Sequence, residues 1–203
     1  MNPSIPSYRY FTLPHQFSTY RPEPQRCELC DRSLPGYEGP FFGKREVAFV
    51  CEECLVSGRL IEAELFTNRG DTAALEQQLA HLQPELTSQT RQVLAQEQTR
   101  ELEQRTPHLV TWQDFLWPVH CGEYCRFLKE IGQPGLNRLA PDGRGMVFFA
   151  EHALWMEGLA HAEEVWPGVR PDIPEDGQVA YAIGVYLFQC QHCHEAVLLW
   201  DAD

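Results

Sequence analysis

The sequence predicts an α+β fold with three parts: an N-terminal zinc ribbon or treble-clef-like module, a helical middle segment, and C-terminal helices with a β-hairpin. Three observations support this prediction. Two Cys-x-x-Cys pairs near the N-terminus, Cys27 to Cys30 and Cys51 to Cys54, are separated by twenty residues. A Gln- and Glu-rich helical stretch follows them. Near the C-terminus, two strand-like runs flank a third pair, Cys190-Gln-His-Cys193.

The first four cysteines have the spacing of a four-thiolate zinc site. A two-residue gap lets one tight turn aim two thiolates at one metal, and a second turn completes the tetrahedral shell. Cys27, Cys30, Cys51 and Cys54 are therefore the predicted zinc ligands, with disulfide pairing as the alternative. Such an all-cysteine site has no open position, which is typical of a structural rather than a catalytic zinc.

Residues 1–68 form the predicted zinc-binding module. Residues 1–26 are rich in Pro and aromatic residues, and we expect an extended arm without helix. Short strands are predicted around residues 41–42 and 46–50, and a helix is predicted from about residue 55 to residue 64. A helix that begins at the second cysteine pair favours a treble clef, and an all-β zinc ribbon remains the alternative.

Residues 69–105 form a predicted helical segment. Asp71 can cap a helix that runs to about His81, and Pro84 can begin another that reaches about Gln104. Their apolar residues form only a thin stripe, so we expect both helices to be largely exposed. A coiled-coil dimerisation segment is the alternative interpretation, although the repeat is short and irregular.

Residues 106–203 are predicted to form an acidic α+β part that packs with residues 1–68 as one unit. A helix is expected from about Pro118 to Ile131, and another over residues 149–162. Two strands, Val179 to Gln189 and Ala196 to Trp200, are expected on either side of the Cys190 turn.

The four remaining cysteines suggest a second zinc site. Cys190 and Cys193 stand at knuckle spacing, and Cys121 and Cys125 would lie one turn apart on the predicted helix. The imidazoles of His120, His192 and His194 are alternative nitrogen ligands. Two other interpretations remain: Cys121 and Cys125 as small buried core residues, and Cys190 with Cys193 as a redox pair.

The charge distribution limits the choice of partners. The net charge is −13, with 5 basic and 14 acidic residues over positions 106–203. An acidic surface repels phosphate backbones, so it disfavours nucleic acid and favours either simple solubility or a basic protein partner. No apolar stretch is long enough for a membrane span, and the first residues do not resemble a secretory signal. Together with cysteines in metal-type pairs, these features predict a cytoplasmic protein.

No catalytic motif is apparent, so the sequence predicts a non-enzymatic protein without catalytic or cofactor-binding residues. An uncharacterised enzyme is the first alternative, with a site around His152, His161, Glu163 and Glu164. A nucleic-acid-binding zinc module is the second, because basic residues cluster near the first cysteine pairs. These are Arg26, Arg32, Lys44 and Arg45.

The order of short motifs resembles the CbrC family of bacterial proteins. The matching pieces run from about residue 17 to residue 200: Phe17 to Pro24, Cys27 to Cys30, Gly36-Tyr37, Gly39 to Phe41, Cys51 to Cys54, Arg105 to Pro107, Trp112-Gln113, His120 to Gly122, Phe127-Leu128 and Tyr186 to Cys193. The chain departs from the family pattern at Asp31 and at His194, which follow two of the knuckles where glycine is usual.

The resemblance implies a cytoplasmic bacterial protein associated with tolerance to a nuclease colicin, and it carries over no catalytic residue. Combined with the residues themselves, it predicts a zinc-stabilised protein of stress or toxin tolerance that acts by protein–protein interaction. In an immunity-like form of this hypothesis, an acidic group meets a basic toxin: Glu163, Glu164, Asp172, Glu175 and Asp176.

Overall fold

A computed structural model describes residues 7–171 and 181–203. The chain divides into two compact units. Within the described residues, the first unit comprises 7–110, 115–126 and 190–193, and the second comprises 111–114, 127–171, 181–189 and 194–203. The protein is a mixture of helices and several small sheets, as predicted for an α+β fold.

The first unit combines short strands with two longer helices. Its elements in chain order are α1 (Pro14–Phe17), β1 (Tyr20–Arg26), β2 (Ser33–Glu38), β3 (Phe42–Gly43), β4 (Phe49–Cys51), α2 (Glu52–Val56), α3 (Arg59–Glu62), β5 (Leu65–Phe66), β6 (Arg69–Gly70), α4 (Thr72–Leu82), α5 (Ser88–Arg105), β7 (Leu116–Trp117), β8 (Val119–His120) and β9 (Glu123–Tyr124).

The second unit packs three helices against one sheet. Its elements are β10 (Arg126–Glu130, which begins at the boundary of the unit), α6 (Gln133–Leu139), α7 (Gly145–His152), α8 (Leu159–Val165), a 3-10 turn (Trp166–Gly168), β11 (Ile183–Gln189) and β12 (Ala196–Ala202). Strands β11 and β12 are antiparallel, and β10 pairs with β11. The core is apolar: Ile131, Leu136, Phe149, Ala162, Val169, Ile183, Val185, Leu187 and Leu198.

The N-terminal sheet, ordered β1-β2-β4, brings the first two cysteine pairs together. Gly36 on β2 lies opposite Cys51 on β4. A Cβ at position 36 would stand 2.3 Å from the Val50 carbonyl oxygen, so only glycine permits this close approach of the two backbones.

The arm before this sheet contains a helix that the prolines were predicted to forbid. Pro14 occupies the first helical position of α1, where its missing N–H costs nothing. The packing of the arm's rings agrees with the prediction, because Tyr8, Tyr10 and Phe11 are buried.

Both middle helices form, with small changes at their starts. The Asp71 carboxylate accepts from the Ala74 N–H, as a capping residue should, and α4 ends at Leu82. Helix α5 begins at Ser88 with Thr87 as its cap, four residues after Pro84. The two helices pack against each other and bury Leu75, Leu79 and Leu102, whereas Leu82 and Val93 remain exposed.

The prediction of a helix from Pro118 to Ile131 was wrong. This stretch forms β8, β9 and most of β10. Cys121 and Gly122 both adopt left-handed backbone conformations, with φ of 53° and 73°. Two consecutive positive φ values close a two-residue hairpin between β8 and β9 and are incompatible with a helix.

The helix predicted over 149–162 is divided into α7 and α8. After α7, the Leu154 N–H donates to the Leu198 carbonyl, so the chain pairs with β12 instead of continuing the helix. Strands β11 and β12 match the predicted pair, although residues 179 and 180 lie outside the described residues.

The compact units follow a different division from the three predicted segments. Residues 69–105 belong to the first unit together with the described part of 1–68, and residues 106–203 are divided between both units. Among the described residues, none of the helices is sufficiently long and apolar to span a bilayer.

The buried carboxylate of Asp201 provides a test of the second unit. It accepts from the N–H groups of Trp112 and Gln113 and from the Tyr186 hydroxyl, at 2.8, 3.2 and 3.1 Å. Asp201→Ala would remove the shared acceptor of these three hydrogen bonds, and we expect a loss of about 2–4 kcal/mol in the free energy of unfolding. Denaturant unfolding would measure it. The control Asp203→Ala removes an exposed carboxylate, and an equal effect of the two variants would contradict the assignment.

Candidate metal centres

The structure brings Cys27, Cys30, Cys51 and Cys54, here called the first cluster, to one point in the first unit. Their four sulfur atoms lie within 4.8 Å of one another. Three of the residues are buried and Cys30 is half-buried. All four are free thiols, which excludes the disulfide alternative in this structure. The Cys30 and Cys51 sulfurs are 3.7 Å apart, well beyond the ~2.05 Å of a disulfide bond.

The first pair lies on the turn between β1 and β2. The Cys27 N–H donates to the Arg32 carbonyl at 2.9 Å, and the Asp31 N–H donates to the Cys27 carbonyl at 2.8 Å. The Leu29 N–H also points at the Cys27 sulfur, at 3.4 Å. Asp31 closes the turn with a φ of 61°, the left-handed conformation that glycine adopts most easily.

The second pair lies where β4 runs into α2. Cys51 is the residue before the helix and Cys54 is in its first turn. Glu28, between the two cysteines of the first pair, bridges to β4. Its carboxylate accepts from the N–H groups of Ala48 and Phe49, and its own N–H donates to the Phe49 carbonyl. These three bonds hold the first pair against the strand that presents the second.

The electrostatics of the first cluster favour ionisation of Cys30 and oppose ionisation of Cys51 and Cys54. The Arg32 N–H donates to the Cys30 sulfur and lowers the pKa of that thiol to about 6. Burial raises the pKa of the Cys54 thiol to about 11 and holds the pKa of Cys51 well above its usual range. Four adjacent thiolates would repel one another, and a bound cation removes this cost.

The donor set fits a tetrahedral metal. For Zn–S bonds of about 2.3 Å, neighbouring sulfurs of a tetrahedron stand about 3.8 Å apart, close to the observed Cys30–Cys51 separation. Arg59 approaches the Cys54 sulfur at 3.9 Å, and Arg32 lies beside Cys30. These two guanidiniums offset the negative charge that four thiolates retain around a divalent ion.

One residue of the arm and one of β2 contact the helix that carries Cys54. The Glu52 carboxylate accepts from the Tyr37 hydroxyl and contacts Nε2 of His15, each at 2.8 Å. The His15 ring stacks on Tyr20, with ring centroids 3.5 Å apart. The arm is therefore attached to the first turn of α2, next to the cysteines of the first cluster.

A second cluster of metal-ligating side chains forms in the same unit. It consists of His120, Cys121, Cys190 and Cys193, whose ligand atoms also lie within 4.8 Å of one another. Three of the four predicted cysteines are thus brought together. Cys125 is outside the cluster and His120, one of the alternative nitrogen ligands, takes its place.

The hairpin turn explains why Cys125 is excluded. The prediction placed Cys121 and Cys125 on one face of a helix, but the β8–β9 turn places His120 beside Cys121 instead. Cys125 follows β9, with its N–H donating to the Pro118 carbonyl and its own carbonyl accepting from Trp117 Nε1, both at 2.8 Å. The signal for a hairpin was the Cys121-Gly122 dipeptide, because glycine favours the left-handed second position of such a turn.

The turn from Cys190 to Cys193 repeats the geometry of the first knuckle. The His192 N–H points at the Cys190 sulfur at 3.4 Å, as Leu29 does toward Cys27. His194 follows with a φ of 62°, matching Asp31. Both turns therefore share an N–H to sulfur contact and a left-handed residue after the second cysteine, so they have the same local geometry.

Glu123 holds this turn on the β8–β9 hairpin. Its largely buried carboxylate accepts from Gln191 Nε2 at 3.0 Å and pairs with His192 Nε2 at 2.8 Å and with Arg9. The residues between the two cysteines therefore fix the turn against the hairpin that carries His120 and Cys121. Sequence reasoning missed Glu123 and Glu28, because a bridging carboxylate has no recognisable spacing.

These features define a mixed α/β protein with two clusters of metal-ligating side chains. The family model described as "Uncharacterised protein family (UPF0167)" matches residues 5–202, and the chain belongs to this family. It is similar to the UPF0167 protein PA1536 of Pseudomonas aeruginosa, with 24% identity over 201 residues, which cover 97% of this chain and 96% of that protein. No solved structure matches the chain.

The comparisons correct the assignment to the CbrC family. Both the family model and the relative carry the name UPF0167, and neither mentions CbrC or a colicin. The link to colicin tolerance rested on that assignment alone, so it has no remaining support.

The left-handed residue after each knuckle gives a testable prediction. His194 occupies a conformation that costs most non-glycine residues roughly 1–2 kcal/mol. We expect His194→Gly to raise the free energy of unfolding by about 0.5–1 kcal/mol and His194→Val to lower it by about 1–2 kcal/mol. Thermal or denaturant unfolding of the metal-loaded protein would measure both.

Asp31→Gly is the comparison variant for His194. The short polar side chain of aspartate can hydrogen-bond locally in the left-handed region, and Asp31 also pairs with Arg26, so we expect a smaller change. Equal stability of the glycine and valine variants at position 194 would contradict the left-handed assignment.

Proposed function

We propose that this protein is a zinc-stabilised, non-enzymatic protein that acts by binding another protein. The observation that carries the proposal is the first cluster, in which four sulfur donors lie within 4.8 Å of one another. Four protein ligands complete a tetrahedral zinc shell, leaving no position for water or substrate. Zinc in such a site supplies folding free energy and no reaction step.

The proposed module is treble-clef-like. A knuckle on the β1–β2 turn supplies Cys27 and Cys30, and the start of α2 supplies Cys51 and Cys54. The free N–H groups at the start of this helix also favour the negative charge of the thiolates. A plain zinc ribbon is a poorer description because it has no helix at its second pair.

The contacts of the residues considered for catalysis support a structural role for them. His152 Nδ1 contacts the Phe148 carbonyl at 2.9 Å, and its ring stacks on Phe148. His161 Nδ1 accepts from the Glu157 N–H and its ring packs on Trp200. Glu163 and Glu164 are exposed on α8. With the pair between His152 Nε2 and Glu195 at 3.0 Å, these contacts give both histidines structural partners. They favour the non-enzymatic proposal over the alternative enzyme.

The basic residues near the first cluster are mostly paired with carboxylates. Arg26 pairs with Asp31, Arg32 with Glu53, and Lys44 with Glu64. These ion pairs reduce the charge available to phosphate groups. They favour a protein partner over the alternative of a nucleic-acid-binding module.

A basic partner is the form of the proposal that the charges favour. The segment from Glu151 to Glu164 in the second unit contains four acidic residues and no Lys or Arg. It also exposes 61% of Trp155, whose left-handed φ of 60° is rare for a bulky residue. An exposed indole in an acidic segment is suited to a partner with Lys or Arg side chains, through ion pairs and cation–π contacts. Asp172, Glu175 and Asp176 lie outside the described residues.

The proposed location is the cytoplasm. Ligation requires reduced thiols, and a reducing compartment maintains them without disulfide formation.

Metal removal tests the structural zinc. We expect elemental analysis of the purified protein to find bound zinc, and chelation to unfold at least the zinc module, because the site supplies folding free energy. Cys27→Ser should abolish zinc at the first cluster. Val56→Ala is a control, since this exposed residue lies on α2 but outside the cluster. A fully folded protein without metal would exclude the structural role.

Charge reversal tests the basic partner. Proteins captured from a lysate by the wild type should be predominantly basic, and Glu163→Lys/Glu164→Lys or Trp155→Ala should reduce their binding at least tenfold. The control Glu85→Lys/Glu97→Lys changes the net charge equally at exposed positions of the first unit. Capture of only acidic or neutral proteins, or equal loss with the control, would refute this form of the proposal.

A further inference from the structure

We propose that the second cluster is an exchangeable metal site of three thiolates and one imidazole, with His120 as the nitrogen ligand and Cys125 excluded. Cys121, Cys190 and Cys193 supply the sulfurs. The set of soft thiolates with one imidazole suits zinc and its spectroscopic substitutes Co²⁺ and Cd²⁺. This assignment does not depend on a protein partner or on the occupancy of the first cluster.

The distance between the His120 imidazole and the Cys193 sulfur agrees with a tetrahedral shell. His120 Nδ1 lies 3.4 Å from the Cys193 sulfur. For Zn–N near 2.05 Å and Zn–S near 2.3 Å, tetrahedral geometry puts nitrogen and sulfur about 3.6 Å apart. The Cys190 sulfur is on the same side of the hairpin, 3.7 Å from the His120 carbonyl oxygen. The His120 ring therefore already faces the sulfurs through Nδ1.

Helix α4 positions the hairpin that carries His120 and Cys121. Gln78 Nε2 donates to the Val119 carbonyl at 3.1 Å, and Gln78 Oε1 accepts from the Gly122 N–H at 3.0 Å. One side chain thus holds the backbone on both sides of the two ligands. A Cβ at Gly122 would stand 3.0 Å from the Leu79 side chain, so the turn lies close against the helix.

Cys125 is near the cluster but is held away from it. Its thiol is fully buried, and its backbone is fixed on both sides by hydrogen bonds to Pro118 and Trp117. Its ligand atom is not among those within 4.8 Å of the other four. Cys125 therefore packs as a small apolar side chain beside the site.

Solvent access distinguishes this site from the first cluster. Cys193 is exposed, and His120 and Cys121 are half-buried, whereas three of the four ligands of the first cluster are buried. His120 and Cys121 also line a cleft of about 390 Å³, together with Gln77, Gln78, His81 and Leu82 of α4. A small chelator can approach the second metal through this cleft, so this metal should exchange faster.

The ligand set is tested with ¹¹³Cd-loaded protein. We expect two bound ions per chain and two NMR signals, one in the range of four-thiolate sites and one shifted by a nitrogen ligand. Cys125→Ser should retain both signals. His120→Ala should lose the second signal, or weaken binding there at least tenfold, while His120→Cys should restore binding and move the signal into the four-thiolate range. The signal of the first cluster is the internal reference for folding.

Three outcomes would overturn the assignment. These are the absence of a nitrogen-shifted signal in the wild type, loss of that signal in Cys125→Ser, and its full retention in His120→Ala. If His120→Ala fails to fold, the signal position in the wild type and in His120→Cys still decides between nitrogen and sulfur ligation.

Metal exchange tests the access through the cleft. Zinc release to an excess of chelator should show two phases, and the faster phase should disappear in His120→Cys or slow at least tenfold. Gln78→Ala should weaken the second site by roughly tenfold, as the loss of a supporting residue typically does, and Gln77→Ala is its matched control. A single release rate, or a faster phase that Cys27→Ser removes instead, would refute the exchangeable character of this site.

Discussion

The first unit depends on bringing thiols together against their mutual electrostatic repulsion. Buried neighbouring thiols resist ionisation, as the raised pKa values of Cys51 and Cys54 indicate. A metal ion reverses this preference, because each thiolate gains more from the cation than it loses by desolvation. The arm, the N-terminal sheet and the start of α2 all contact the residues around this point. A bound metal would add its binding free energy to the apolar burial of this unit.

Both clusters use the same local solution to aim two sulfurs in one direction. In each knuckle, a backbone N–H two residues after the first cysteine points at its sulfur, and a left-handed residue closes the turn. A carboxylate then fixes each turn on a neighbouring strand: Glu28 acts on β4, and Glu123 receives Gln191 and His192. The non-glycine residues Asp31 and His194 accept backbone strain at these positions. The hydrogen bonds and ligands around them offset that strain.

Sequence patterns predicted features whose cause is local. The Cys-x-x-Cys spacing predicted both knuckles because two sulfurs on one tight turn need no distant partner. Asp71 predicted the start of α4 because a cap acts within one turn. The helix prediction for the stretch after Pro118 was wrong, also because of a local feature. Its apolar residues repeat at helical spacing, which predicts a helix, yet Cys121-Gly122 adopts a hairpin turn. This local backbone conformation favours two strands over the helix.

By itself, the sequence determined the chemistry of this protein: eight cysteines, three of their pairs at knuckle spacing, and a strongly acidic C-terminal half. It also determined the helices of the middle segment and the strands that flank Cys190. Only the tertiary structure decided that His120 stands where Cys125 was expected, and that Gln78, Glu28 and Glu123 hold the ligands in place. The physical reason is that the side chains of a cluster come from segments that are distant in sequence and become neighbours only in the folded chain. Such neighbours depend on hydrogen bonds between residues twenty to seventy positions apart, which leave no periodicity in the chain.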